Sequence, residues 1–191
     1  MSVAGVILAA GESRRMGSPK ALLRYREESF LDTLIGLFET RCDPVIVVLG
    51  AHAEEIRARA ARPATFVINA NYQRGQTSSM QCGLRAVPAG AEGVLFTLVD
   101  HPAVSAGTLD LLLSRPAPLV RVPRYRDERG HPIWFARDLV PEFLALGDDG
   151  AARDIVRAHA AETEFIDVDD PGIRADIDDP AAYAKLTGAS L

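Results

Sequence analysis

Short, uninterrupted apolar runs, separated by stretches with helical spacing, constrain this chain more than any other feature. Val3 to Leu8, Val45 to Leu49 and Val94 to Val99 carry almost no polar side chain. A strand that is apolar on both faces has to be covered on both, as in a mainly parallel sheet between helical layers. Phe30 to Phe38, Glu54 to Ala61 and Ser78 to Ala86 space their apolar residues like helices, and Thr65 to Ile68 reads as a further strand. This alternation predicts a Rossmann-like three-layer α/β/α sandwich. Further on, Leu119 to Val122 and Ile133 to Phe135 predict an antiparallel excursion that makes the sheet mixed. Leu139 to Leu146, Ala151 to Ala160 and Pro180 to Leu186 read as helices, and Glu164 to Val168 as a strand. No linker interrupts the pattern, and 191 residues suit a single domain over 1–191.

Composition narrows the function classes. Hydrophobic residues make up 48% and charged residues 25%, an ordinary globular balance. No apolar run reaches the length of a membrane span. Met1-Ser2 leads into the first strand without the basic start of a secretion signal, so a cytoplasmic protein without membrane contact is expected. Cys42 and Cys82 have no metal-ligand spacing and read as reduced thiols. The net charge of -5 argues against nucleic acid as a partner. A nucleotide-sized anion needs only a few local cations and backbone amides.

In open α/β sheets, ligands sit beyond the carboxyl ends of the strands. The first strand runs into Leu8-Ala9-Ala10-Gly11, then Ser13, Arg15-Met16-Gly17 and Lys20. Small residues let a ligand approach the backbone. Loop amides can face phosphates, and Arg15 and Lys20 add the cations that a transferring phosphoryl needs. The spacing is neither a Walker A loop nor a dinucleotide fingerprint, and a plain surface loop is the alternative. A second segment, Gly75-Gln76-Thr77-Ser78-Ser79-Met80, leads into a helix with Thr77 or Ser78 as the expected N-cap. Its end could hold an anion, or be simple capping. Asp100 follows the Val94 to Val99 strand and can bring an oxygen ligand for Mg2+ into the cleft, or can form a turn before Pro102. Near the end lies Asp176-Ile177-Asp178-Asp179-Pro180, where Asp179-Pro180 reads as a helix start. Arg129-Gly130-His131-Pro132 precedes Ile133, with glycine permitting a close approach and the imidazole able to donate to a phosphate. Trp134 reads as core, and His52 and His159 as surface.

Leu8-Ala9-Ala10-Gly11-x-Ser13-x-Arg15-Met16-Gly17-x-x-Lys20 resembles the signature of the MobA-like NTP transferases. Gly75-x-x-Ser78-Ser79-Met80-x-x-Gly83-Leu84 and Gly130-His131-Pro132 resemble the molybdenum cofactor cytidylyltransferase branch. The resemblance implies a nucleotide-diphospho-sugar transferase type of fold. It implies a base received by the backbone of Leu8, Ala9, Ala10 and Gly11, with Gly75, Ser78 and Ser79 at the nucleotide. Arg15 and Lys20 would contact the phosphates, and Asp100 would be the main metal ligand. Asp178 aligns with the acid that completes metal binding in some related transferases. Gly130, His131 and Pro132 would shape the acceptor side. The family often has Gln or Met where His101 stands, which leaves the role of His101 open. The implied activity is Mg2+-dependent transfer of CMP from CTP to molybdopterin, with release of pyrophosphate and a molybdoenzyme as possible recipient. Another NTP, a sugar or polyol phosphate acceptor, or a non-catalytic nucleotide-binding or cofactor-delivery role are the alternatives.

Overall fold

The computed structural model describes residues 2–114, 116–147 and 149–188; of the domain expected over 1–191, residues 1, 115, 148 and 189–191 lie outside the described ones. Its sheet contains β1 (Val3–Ala9), β4 (Val45–Leu49), β5 (Thr65–Ile68), β6 (Gly93–Leu98), β7 (Val120–Tyr125), β8 (Glu128–Arg129), β9 (Ile133–Ala136) and β10 (Thr163–Asp167). A hairpin of β2 (Arg24–Tyr25) and β3 (Glu28–Ser29) stands apart. The sheet order is β10-β7-β9-β6-β1-β4-β5, with β8 on β7. β6, β1, β4 and β5 run parallel. β9 is antiparallel to both β6 and β7, the excursion expected from the sequence, and β10 then joins β7 in parallel.

Both faces of the central strands are covered, as their continuous apolar runs require. Alternate residues point to opposite sides. From β1, Val3, Ile7 and Ala9 enter one core, with Phe30, Leu34 and Phe38 of α1 (Phe30–Glu39) and Leu109 and Leu112 of α4 (Ala106–Leu112). Ala4, Val6 and Leu8 enter the other, with Met80 and Leu84 of α3 (Gln76–Arg85), Phe143 of α5 (Val140–Ala145) and Ile155 of α6 (Ala152–Ala158). Gly83 lets α3 lie close on the sheet, because a Cβ there would meet Val48 at 2.7 Å. Trp134 is buried core, as expected.

Several boundaries differ from the periodicity, each for a local reason. α2 spans Ala53–Arg59 and stops short of Ala61, because the buried Asp32 carboxylate accepts from the amides of Ala61 and Arg62. α3 begins two residues before Ser78, and neither Thr77 nor Ser78 caps it. Gly75 holds the cap position at φ 104, which glycine adopts freely. Ser78 lies inside the first turn, and its hydroxyl donates to the carbonyls of Gly75 and Asn71. α7 (Pro180–Thr187) starts as expected, with the Asp179 side chain accepting from Ala182 N at 2.8 Å.

Candidate active site

The carboxyl ends of β1 and β6 open into one cleft of about 830 Å³. β1 delivers Leu8, Ala9, Ala10 and Gly11 to its wall, and the loop after it brings Arg15 and Lys20. Ser13 Oγ accepts from Lys20 N at 3.0 Å and so closes that loop. Lys20 opens a short 3₁₀ turn, and its side chain is only 12% exposed. Asp100 follows β6 at the cleft's far wall. Gly75 and Ser79 line the same space, but Ser78 does not. The Ser78 hydroxyl donates to the backbone carbonyls of Asn71 and Gly75 and accepts from Asn69 Nδ2.

The chain's last third completes this cleft. Asp170 is buried and accepts from Ser105 N, Thr108 Oγ1 and Gly172 N. That anchor holds the turn Pro171–Arg174, and buried Ile173 and Ile177 tie the following segment to the core. Ile177 N donates to the Asp100 carbonyl at 3.2 Å, so Asp176 and Asp178 flank that contact. Carboxylate oxygens of Asp100, Asp176 and Asp178 all lie within 4.8 Å of one another. The sequence reading picked Asp100 and Asp178 and missed Asp176. Its signal was there: in an extended stretch, alternation around an apolar Ile177 sends both acids to the same side.

Lys20 Nζ donates to Asp100 Oδ2 at 3.0 Å and to Asp178 Oδ1, and stands 4.0 Å from Asp176. Arg15 reaches the other oxygen of Asp178 at 2.6 Å. Burial works against the Lys20 ammonium, but the hydrogen bonds and charges of Asp178 and Asp100 outweigh it and raise its pKa. The Lys20 hydrogen bond, opposed by burial and helped by Arg15, lowers that of Asp178. Burial, with the charges of Asp100 and Asp178, pushes Asp176 up to about 6. Three hard oxygen donors suit a divalent cation of the Mg2+ or Mn2+ kind. Asp100 Oδ1 supports that fit, since it is buried without a hydrogen-bond partner.

The Gly130-His131 segment lines a different cavity, of about 740 Å³. Gln76, at the start of α3, is common to both cavities. Phe96, Val122, Ile133 and Phe165 give the second cavity an apolar surface, and Arg129, Arg153 and Arg157 give it positive charge. Pro132 is buried and does not line it. Glycine at 130 serves a close approach of the chain itself: a Cβ there would overlap the Ile173 carbonyl. That carbonyl accepts from His131 N at 2.9 Å. Burial, and then the neighbouring His101, push His131 down to about 4, so its ring is neutral at pH 7. The two imidazole rings lie 5.1 Å apart. His101, whose role the sequence left open, is buried with Nε2 3.7 Å from Asp100 Oδ1. It forms part of the partition between the carboxylates and the second cavity.

The parallel-centred, Rossmann-like α/β sheet thus carries a cationic loop and a carboxylate cluster beyond its strand ends, where folds of this class bind ligands. The MobA-like NTP transferase domain model matches residues 5–163, and the chain belongs to that family. Nicotine blue oxidoreductase of Paenarthrobacter nicotinovorans is 33% identical over 92% of each chain. The molybdenum cofactor cytidylyltransferase of Escherichia coli is 29% identical over 67% of each. A probable molybdenum cofactor guanylyltransferase of Mycobacterium avium is 35% identical over 59% of this chain and 57% of its own. Among solved structures, the manganese complex of Rv0371c from Mycobacterium tuberculosis superposes with a TM-score of 0.84 at 29% identity, over 100% of both chains.

Proposed function

We propose that the chain transfers CMP from CTP to a molybdopterin-type phosphorylated acceptor, with Mg2+ and with release of pyrophosphate. The observation that carries this reading is the pair of cavities meeting at Gln76: one has a carboxylate cluster and phosphate-binding cations, the other is apolar with arginines. The triphosphate lies along Gly11 to Lys20, with the base against Leu8, Ala9, Ala10 and Ser79. The acceptor sits in the second cavity, its anionic end toward Arg129, Arg153 and Arg157.

An acceptor phosphate oxygen attacks the α-phosphorus. The bond to the bridging oxygen breaks, and pyrophosphate leaves with the electron pair. The attacking oxygen is already anionic, so no strong general base is needed and catalysis is positioning and charge neutralisation. Asp100, Asp176 and Asp178 would hold Mg2+, which would supply Lewis-acid charge at the reacting phosphates. Lys20 and Arg15 offset the charge of the triphosphate and of the departing pyrophosphate. His131, being neutral, shapes the acceptor wall rather than supplying a cation.

The test is pyrophosphate release with each NTP, Mg2+ and molybdopterin, sugar phosphates or polyol phosphates in turn. The largest rate is expected with CTP and molybdopterin. A larger rate with GTP reassigns the base, and a larger rate with a sugar or polyol phosphate reassigns the acceptor. A protein named as an oxidoreductase shares most of this chain's length. Its name is not that of a nucleotidyltransferase, and a second reading, nucleotide binding or cofactor delivery without transfer, would be supported by an absence of pyrophosphate release with any NTP. His131→Ala is expected to weaken acceptor use and leave CTP binding unchanged by calorimetry.

A further inference from the structure

We propose that Lys20 is a resident counter-ion of the carboxylate cluster, which a divalent cation must displace and which then moves onto the incoming triphosphate. Metal loading and nucleotide loading would thus be one exchange of cations. The inference rests on reading the three carboxylates as a divalent-cation site.

The ammonium and a divalent cation would compete for the same carboxylates. Asp178 has two carboxylate oxygens, and both are engaged: Oδ1 accepts from Lys20 Nζ and Oδ2 from Arg15 Nη2. Each of these oxygens keeps a further lone-pair site, but an ammonium hydrogen-bonded to both Asp178 and Asp100 puts a positive charge where a dication shared by the two carboxylates would lie. Arg15 is 67% exposed at its side chain, whereas Lys20 is 12% exposed and also holds Asp100 Oδ2. Lys20 Nζ therefore lies among the same carboxylates that would hold a divalent cation. A dication needs oxygens at about 2.0–2.2 Å in a near-octahedral shell. An ammonium retained in that shell would repel it strongly in a half-buried setting. Lysine suits the exchange, being a compact charge on a flexible four-carbon stem. Its alternative partner is close, because Lys20 lines the cleft that also holds the Gly11 to Arg15 loop. With nucleotide bound, the displaced ammonium gains the phosphates as counter-ions.

The experiment is titration of the full chain with Mn2+, followed by electron paramagnetic resonance of the free ion. It is run with and without a non-hydrolysable α,β-methylene CTP. The wild type is expected to bind Mn2+ weakly alone and at least about tenfold more tightly with the analogue. Lys20→Met is expected to bind Mn2+ alone at least about tenfold more tightly than the wild type, and to lose most of the analogue's enhancement. Arg15→Gln, an exposed change that frees the other oxygen of Asp178, is expected to tighten Mn2+ binding by less and keeps the test open should Lys20→Met not fold. Equal or weaker Mn2+ binding in both variants overturns the exchange and leaves the cation site standing. Absence of Mn2+ binding in the wild type and both variants overturns the cation site and the exchange with it. Neither result depends on which nucleotide is transferred, or on transfer at all.

Discussion

Ile177 donates its backbone N–H to the carbonyl of Asp100, 77 positions earlier in the sequence, at 3.2 Å. Ile177 itself is buried, and its neighbours Asp176 and Asp178 bring their carboxylates beside that of Asp100. One backbone hydrogen bond thus joins the end of β6 to the chain's closing segment and builds the cluster. Asp170 fixes the same segment further back, through Ser105, Thr108 and Gly172.

Asp100→Ala is expected to abolish pyrophosphate release while leaving the circular dichroism spectrum unchanged. Asp100 supplies the buried, unpartnered oxygen of the cluster, whereas its backbone bond to Ile177 survives the substitution. Activity near that of the wild type at any Mg2+ concentration would remove Asp100 from the mechanism.

Asp176→Asn separates charge from fold. Its folded pKa is raised to about 6, by burial and then by the charges of Asp100 and Asp178. For an acid raised in this way, the favourable contribution to stability is present at low pH and is lost as pH rises through about 6. The asparagine variant is therefore expected to melt higher than the wild type at pH 7.5 without metal, with the gain vanishing toward pH 4. Its Mn2+ affinity should fall by about tenfold or more, at least the loss that an outer-sphere partner causes. Thermal melts across pH, paired with Mn2+ titration, check both halves, and an unchanged Mn2+ affinity would exclude Asp176 as a ligand.

His131 titrates in the opposite sense. Burial and His101 hold its folded pKa near 4, against an ordinary 6.5. Stability from the neutral ring is complete above about 6.5 and is lost as pH falls toward 4, to a total of about 3 kcal/mol. Urea unfolding at pH 7 and pH 5 should show much of this loss in the wild type and little of it in His131→Asn. A parallel decline in the two proteins would mean that the ring is charged in the folded state.

Gly130→Ala tests whether the glycine serves the chain or a ligand. A Cβ at 130 overlaps the Ile173 carbonyl, so the Pro171–Arg174 turn must shift, and Asp176 and Asp178 shift with it. The expected outcome is a loss of about 1–3 kcal/mol in urea unfolding, with weaker Mn2+ binding in the same protein. Full stability and full Mn2+ affinity, with impaired acceptor use alone, would return this glycine to the acceptor pocket.

Arg121→Met probes β7, the strand next to the sheet's edge strand β10. This guanidinium is buried at 3% side-chain exposure and donates to the carbonyls of Leu111, Leu112, Ser114 and Pro116 as well as to Glu164. Removing it strands several carbonyls at the end of α4, at a cost of about 3 kcal/mol or more. Chemical denaturation reads that loss, while Mn2+ affinity should stay the same because Asp100 follows β6 and β9 lies between β6 and β7 in the sheet.

Local chemistry made much of this protein legible in its sequence. Continuous apolar runs marked β1, β4 and β6 because a strand covered on both faces leaves no place for polar side chains. Small residues after β1, followed by Arg15 and Lys20, marked one wall of the cleft because a phosphate needs open backbone and cations within a few residues. Asp179 and Pro180 marked the start of α7 because capping is decided by immediate neighbours. Tertiary structure decided what depends on distant partners. Which partners the Ser78 hydroxyl takes turned on where the carbonyls of Asn71 and Gly75 fell. Whether glycine at 130 made room for a substrate or for the chain turned on the path of Ile173. Asp176 became part of the cluster only once folding had brought Ile177 against Asp100, and the pKa of His131 fell to about 4 only once folding had buried the ring beside His101. A hydrogen bond between residues 77 apart, and the electrostatics of the enclosure around it, are set by packing of the whole chain and have no local pattern to announce them.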